Sequence, residues 1–337
     1  MAQTLVSDVI VPEVFLPYSI QRTAELSEFV QSGIIQPDSQ FDAKASDGGK
    51  IVEMPFWNDL TGEDEVIDDE NPLGTDKIAA SGDAAAIHQR GKAWSVNDLA
   101  GMLAGDDPMK AIGNLTGEYW ARRLQAQSFA TLKGVFAIAS MANSLHAIHA
   151  ATGTTSSANF LTGATFIDAQ QKLGDSKSKL VAISMHSRVE SALRKLDLID
   201  TIPASESKPE IKFFQGLRVI IDDGHTVETI NTYNVYTTYL FGAGALALGN
   251  DRRIIPVEGA PAGSTWNLEM SRTALAGSTA LIHRRRFILH PRGVKWLGVT
   301  QAKKSPSNTE LGSDTNWLRV YETKNVRIVK ITHNIPA

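Results

Sequence analysis

The sequence contains no cysteine. This absence excludes disulfide bonds, thiolate zinc sites and a cysteine nucleophile, and it suits a reducing cytoplasm. Long apolar runs are also missing, because the weakly polar stretch 134–145 is far too short to span a bilayer. No basic residue precedes Arg22, so the N-terminus does not resemble a signal peptide. We therefore expect a soluble protein without a membrane partner.

A strong net charge is absent as well. The 337 residues carry 33 Lys and Arg against 37 Asp and Glu, a formal net charge of −4. This balance gives no reason to expect a nucleic-acid or membrane-surface protein. His146 and His149 have no further metal-ligand type close to them in the sequence, and no G-x-S-x-G nucleophile pattern is present. We expect no catalytic residue, no metal and no cofactor.

One stretch matches the sequence pattern of a cofactor-binding motif. Gly242, Gly244 and Ala247 satisfy G-x-G-x-x-A, which in dinucleotide-binding folds joins a strand to a helix. Here Gly249 and Asn250 form a turn signal directly afterwards, so a helix cannot follow. We interpret the stretch as a strand whose small residues allow another backbone to pack closely. A nucleotide-using α/β enzyme remains the remote alternative.

Two blocks of like charge stand out against the neutral average. Residues 59–76 hold eight acids and no Lys or Arg, which predicts a solvated stretch rather than a core. Residues 283–304 hold seven bases and no acid. The basic block could contact nucleic-acid phosphates, but opposite blocks on identical subunits also suit self-association, the interpretation we favour. The candidate contact residues are Glu63, Asp64, Glu65, Asp68, Asp69, Glu70, Arg284, Arg285, Arg286 and Arg292.

Local patterns predict the order of the elements. Pro12 and Pro17 hold an N-terminal arm extended over residues 1–18. Asp107 is a favoured N-cap residue and Pro108 is favoured at the first helical position, so together they mark the start of a long helix. The predicted helices cover 19–33, 107–141, 163–173 and 187–196, and the predicted strands 50–57, 84–96, 180–185, 211–222, 232–242, 280–296 and 326–332.

This order of parts resembles the HK97-like major capsid proteins of tailed bacteriophages. Local similarity lies in TYLFGAGALALG, in PVEGAPAG and in TALIHRRRFILHPRGVKWLG, which precedes NWLRVYETKNVRIVKI. The resemblance covers essentially the whole chain. It implies an α+β, HK97-like capsid fold with an N-terminal arm, an E-loop, a peripheral domain with a long spine helix, and an axial α/β domain.

The resemblance also implies domain boundaries. The E-loop of this family reaches across a neighbouring subunit. The implied segments are 1–47 for the arm, 48–97 for the E-loop, 98–154 for the peripheral domain with the spine helix, 155–278 for the axial domain, 279–305 for the return strand of the peripheral domain, and 306–337 for a C-terminal segment that rejoins the axial domain.

The function implied by the resemblance is structural, not enzymatic. The chain would self-assemble, as hexamers and pentamers, into an icosahedral head around double-stranded DNA in the host bacterial cytoplasm, and would reside in the virion capsid. Implied partners are a separate scaffolding protein, a portal protein and packaged DNA bound without sequence specificity, while the resemblance leaves open whether a decoration protein binds outside. An encapsulin-like nanocompartment shell is the main alternative. We hypothesise that the acidic tip of the E-loop, residues 63–70, lies near basic surface on an adjacent subunit.

Overall fold

Within the described residues, the computed structural model shows two large β-sheets, a small two-stranded sheet, and one long helix that packs against both large sheets. The predicted N-terminal arm, residues 1–18, and the start of the predicted helix 19–33 lie outside the described part of the chain. The structure describes residues 27–46, 49–58, 60, 62–67, 74–97, 108–150, 155–202, 211–230, 233–255, 265–273 and 277–336.

Helices and strands are numbered in chain order within the described residues. Helices α1 to α7 are Glu28–Gln31, Ser39–Ser46, Pro108–Val135, Gly163–Gln171, Ser187–Lys195, Asn308–Leu311 and Thr323–Val326. Strands β1 to β16 are Ile35–Pro37, Ile51–Trp57, Ala80–Asn97, Leu145–Ala147, Leu180–Met185, Ile199–Ile202, Ile211–Phe214, Leu217–Ile221, Val227–Ile230, Tyr233–Gly242, Leu246–Asn250, Leu268–Thr273, Ser278–Pro291, Val294–Trp296, Trp317–Arg319 and Ile328–His333.

The first sheet is organised around the long strand β13. Its strand order in the described chain is β1-β11-β13-β3-β2, and β12 also pairs with β13. β13 and β3 run antiparallel, from the pair Ser278 and Asn97 to the pair Ile288 and Ile87. β2 then pairs with the other edge of β3, so the hairpin β2–β3 is anchored at one end by the sheet.

The second sheet has the order β4-β16-β10-β5-β8-β7-β6 in the described chain, and β9 pairs with β10. α4 and α5 cover one side of this sheet through buried residues such as Phe166 and Leu193. α5 has a sharp apolar face because Val189 and Leu193 stand four positions apart. β16 joins this sheet between β4 and β10, both of which are distant from it in the sequence.

Helix α3 is the spine of the subunit. Its 28 residues span about 42 Å at 1.5 Å per residue. Leu124, Leu132 and Val135 are buried in a core that includes residues of both sheets. The sequence predicts helix to residue 141, but α3 ends at Val135 because Ile138 has an extended backbone, with φ −74° and ψ 133°. None of the described helices is long and apolar enough to cross a membrane.

The two sheets divide the chain at a different place from the predicted boundary at residue 278. β10 ends at Gly242 in the second sheet, and β11, which starts at Leu246, belongs to the first sheet together with β12. Gly244 makes the crossover possible, since its φ of +62° is readily adopted only by glycine. The sequence stretch looks continuous because both strands are apolar on either side of this short turn. The peripheral and axial names stay predictions.

Candidate inter-subunit surfaces

The hairpin β2–β3 leads to an exposed tip. β2 and β3 pair from Ile51 with Ala86 to Trp57 with Ala80. The described residues beyond that last pair are all exposed and belong to no helix or strand. Glu65 accepts a hydrogen bond at 2.8 Å from the backbone N–H of Gly74, which ties the two sides of the tip together.

Large apolar side chains of the hairpin face solvent. The relative exposure is 94% for Val66, 78% for Ile67, 79% for Leu60 and 68% for Trp57. Exposed apolar groups that lie close together mark interaction surfaces in folded proteins. The tip therefore combines apolar side chains with carboxylates, and both are available to a partner.

The predicted acidic contacts are only partly within the described chain. Glu63, Asp64 and Glu65 are exposed at the tip. The remaining three candidates, Asp68, Asp69 and Glu70, lie outside the described residues.

The structure corrects the expectation for Arg285, whose side chain is buried inside the subunit. Its guanidinium lies 5.6 Å from the ring centroid of Trp120 on α3 and donates to Asn250 Oδ1 at 3.3 Å. Burial lowers the pKa of Arg285 to about 10, so the group is still charged at neutral pH. Side chains alternate along a strand, and this position faces the spine helix. Arg285 is therefore no candidate for contact with a neighbour.

Arg284 and Arg286 lie on the opposite face of β13 and are half-buried. Arg284 forms an ion pair with Glu269 of β12 at 2.8 Å and donates to the backbone oxygen of Trp266 at 3.1 Å. Its charge is therefore already compensated within the subunit, which reduces what it can offer to a neighbour.

Arg292 differs from the other three arginines because it follows β13 and is exposed. At 3.3 Å per residue, β13 separates it from Arg284 by roughly 25 Å. It pairs with Asp38 at 3.0 Å and lines a cleft of ≈ 500 Å³. The arginines of the basic block thus differ in their surroundings: Arg285 is buried, Arg284 is half-buried and paired with Glu269, and Arg292 is exposed and paired with Asp38.

Four buried histidines belong to the core rather than to a catalytic site. His283 accepts from Trp120 Nε1 at 2.7 Å, and His225 lies 2.7 Å from Ser184 Oγ. Burial lowers the pKa values of His88, His225 and His283 to about 3 and that of His333 to about 4. All four are therefore neutral at pH 7. No group of three or more His, Asp or Glu suited to a metal ion occurs among the residues that the structure describes.

The whole chain has a characterised relative. It is 43% identical over 341 residues to the major capsid protein of Bacillus phage SPP1, with 100% of each chain covered. The chain belongs to the HK97-like major capsid proteins of tailed bacteriophages. The resemblance inferred from the sequence is thereby confirmed. No family model matches the chain.

Solved capsid structures share the fold of this major capsid subunit. The capsid of Ralstonia phage GP4 matches with a TM-score of 0.60 and 10% identity, over 92% of this chain and 89% of that one. The capsid asymmetric unit of cyanophage Pam1 matches with a TM-score of 0.57 and 11% identity, over 99% and 94%. At such low identity the likeness concerns the fold, and the predicted HK97-like fold is confirmed.

A capsid subunit needs no bound nucleotide, and the geometry of the G-x-G-x-x-A stretch does not form a nucleotide-binding site. Gly244 lies in the turn between β10 and β11, and the segment after it is a strand. A pyrophosphate site of this type requires the N-terminus of a helix at that point.

The chain is a structural shell subunit, located in the virion capsid and assembled with copies of itself, and it is not an enzyme.

Proposed function

We propose that this major capsid subunit forms the hexamers and pentamers of an icosahedral head that encloses double-stranded DNA. The observation that carries the proposal is the hairpin tip, where Val66 and Ile67 are exposed by 94% and 78% beside a run of carboxylates. An isolated two-stranded ribbon is marginal in water, so such a tip gains stability by burial against another molecule. In a shell, that molecule is a neighbouring subunit.

We further propose that the acidic tip contacts basic surface on the adjacent subunit. Exposed ion pairs contribute roughly 0–1 kcal/mol each, so their effect depends on repetition around every capsomer. The acidic residues of this proposal are Glu63, Asp64, Glu65, Asp68, Asp69 and Glu70, and the basic ones that remain are Arg284, Arg286 and Arg292.

Membership of the family also supports a set of partners for the assembled head. We propose a separate scaffolding protein, a portal protein and packaged DNA held without sequence specificity. Assembly would take place in the host bacterial cytoplasm.

Electron microscopy of the purified protein tests the main proposal. The subunit is expressed alone and together with candidate scaffolding proteins, and particles are separated by size and treated with nuclease. We expect closed icosahedral shells, and nuclease-protected double-stranded DNA in particles made during phage infection. Shells that enclose an enzyme instead would indicate a nanocompartment, and small oligomers under all conditions would contradict the proposal.

Reversal of the tip charges tests the acidic contact. The triple variant Glu63→Lys, Asp64→Lys and Glu65→Lys should lower the yield of shells, because like charges then face each other across the interface. The unassembled subunit should keep its stability to within about 0.5 kcal/mol, as expected of exposed positions. Shell yield is measured by sedimentation, and stability by urea unfolding.

The control variant reverses the same number of acids elsewhere. Glu118, Asp175 and Glu322 are exposed and lie outside the hairpin. Normal shells in the tip variant would contradict the proposed contact. Equal losses in both triple variants would show that total charge, rather than the tip, controls assembly.

A further inference from the structure

A cleft of ≈ 500 Å³ lies where the hairpin root meets the junction of the two sheets. Lys44 of α2, Arg292 after β13 and Arg327 after α7 all line it. These cations come from three distant parts of the chain, so only the fold brings them together. The sequence contains no signal that would have assigned Lys44 or Arg327 to one site.

The charges in the cleft are unequally compensated. Both carboxylates in it are engaged, since Asp38 pairs with Arg292 and Asp83 pairs with His290, each at 3.0 Å. Lys44 and Arg327 form no ion pair within the part of the chain that the structure describes. The cleft therefore offers two cationic side chains to an anionic group that enters from outside.

The same cleft has an apolar component. Phe41, Met54, Phe56 and Val326 line it beside the cations. Phe56 packs edge-on against Tyr321, with ring centroids 5.0 Å apart, which gives this wall a defined shape. An occupant that matches the cleft carries carboxylates and apolar side chains side by side.

The hairpin tip of this chain has that combination. Glu63, Asp64 and Glu65 are followed directly by Val66 and Ile67, and all five are exposed. None of the described tip residues lines the cleft of its own chain. The tip and the cleft are therefore complementary surfaces that one copy does not bring together.

We propose that the cleft receives residues 63–67 of a second copy of this chain. The carboxylates of Glu63 to Glu65 meet Lys44 and Arg327 at the rim, while Val66 and Ile67 pack on the apolar wall. Such a contact joins two different surfaces, so it repeats head to tail and closes into a ring when the rotation allows. The inference rests on the proposed function and narrows its basic surface to Lys44, Arg292 and Arg327, because Arg284 and Arg286 do not line the cleft.

Crosslinking tests the juxtaposition directly, because the natural chain has no cysteine. The variant Asp64→Cys with Lys44→Cys is assembled into shells under reducing conditions and treated with a short bis-maleimide, which tolerates more separation than a disulfide. We expect covalent oligomers on denaturing gels, up to the size of a complete ring. The control pairs Asp64→Cys with Lys177→Cys, an exposed lysine away from the cleft.

A charge exchange gives a second readout if the cysteine variant does not assemble. Arg327→Glu should lower the yield of shells, and Asp64→Lys in the same chain should restore it, because each subunit then presents opposite charges to the next. Restoration supports the inference. A further loss instead of restoration overturns it.

The outcomes separate this inference from the proposed function. Wild-type shells with no crosslink in the Lys44 pair, or with equal crosslinking in the Lys177 control, overturn the cleft as receiving site and leave the shell intact. Failure of the wild-type chain to form shells under any condition overturns the proposed function itself.

Discussion

The spine helix and the hairpin place their apolar residues in opposite environments. Leu132 and Val135 of α3 are fully buried within one subunit, in a core shared with both sheets. Val66 and Ile67 of the hairpin tip are almost fully exposed. At about 25 cal/mol per Å² of apolar surface removed from water, the first pair stabilises the folded subunit and the second can stabilise only an assembly. The subunit thus separates the residues that fold it from those that join it to copies.

Mild acid should weaken the packing around the spine helix more than it affects the hairpin tip, and this effect should be the largest of those predicted. His225 packs 4.5 Å from Phe129 of α3, and His283 bonds to Trp120 of the same helix, whereas residues 58–79 contain no histidine. The pKa values of four buried histidines fall from 6.5 to about 3 or 4 on folding. Below pH 6.5 the unfolded chain therefore binds more protons, and stability falls as the pH falls towards 4.

The expected loss is on the order of 1 kcal/mol per pH unit for each of these histidines. Burial raises the pKa values of Glu28 and Asp222, which offsets part of the loss at the acid end. Urea unfolding of the unassembled subunit should show a plateau above pH 6.5 and a steep decline below it. A midpoint that stays constant down to pH 5 would contradict the structural role of these histidines.

Truncation of one apolar residue in each region gives the next largest effect. Leu132→Ala should cost about 2–5 kcal/mol, because Leu132 is fully buried and its removal leaves a cavity. Val66→Ala should change the stability of the unassembled subunit by less than about 0.5 kcal/mol and lower the yield of shells. Guanidinium unfolding and sedimentation measure the two effects. If Val66→Ala destabilised the isolated subunit as much as Leu132→Ala, the separation of roles would fail.

A pair of glycines provides the smallest and most local comparison. In α3, a Cβ at Gly134 would overlap the carbonyl oxygen of Leu311 and lie 2.7 Å from Trp317 Nε1, so Gly134→Ala should cost about 1–3 kcal/mol. In β3, a Cβ at Gly82 meets nothing within 4 Å, and Gly82→Ala should gain up to about 1 kcal/mol. Thermal unfolding of both variants measures the difference, and equal shifts would contradict the close packing at α3.

Elements with a strong local pattern could be predicted with good accuracy. β5 has the predicted bounds, Leu180–Met185, because an apolar run with clear flanks marks a buried strand. The predicted strand 211–222 is instead two strands, β7 and β8, joined by a turn in which Gln215 and Gly216 have φ of 49° and 82°. The pattern of apolar residues does not reveal this turn, since Gln215 is not a typical residue at positive φ.

The candidate inter-subunit contacts show more clearly that a local sequence pattern does not reveal tertiary packing. Arg284, Arg285 and Arg286 are equivalent in the sequence, yet alternation along β13 buries Arg285 against the spine helix and leaves its neighbours on the other face. The exposure of the acidic tip, by contrast, could be predicted from the sequence, because a stretch of acids with few apolar residues cannot form part of a core.

By itself, the sequence determined the family, the absence of cysteine chemistry, the long helix and the solvated acidic tip, since each depends on composition or on neighbouring residues. Only the tertiary structure decided where the chain crosses between the sheets, which arginine is buried, and that Lys44, Arg292 and Arg327 share one cleft. These features depend on the pairing of strands far apart in the chain. A local pattern carries no information about that pairing, because the partner strand supplies half of every contact.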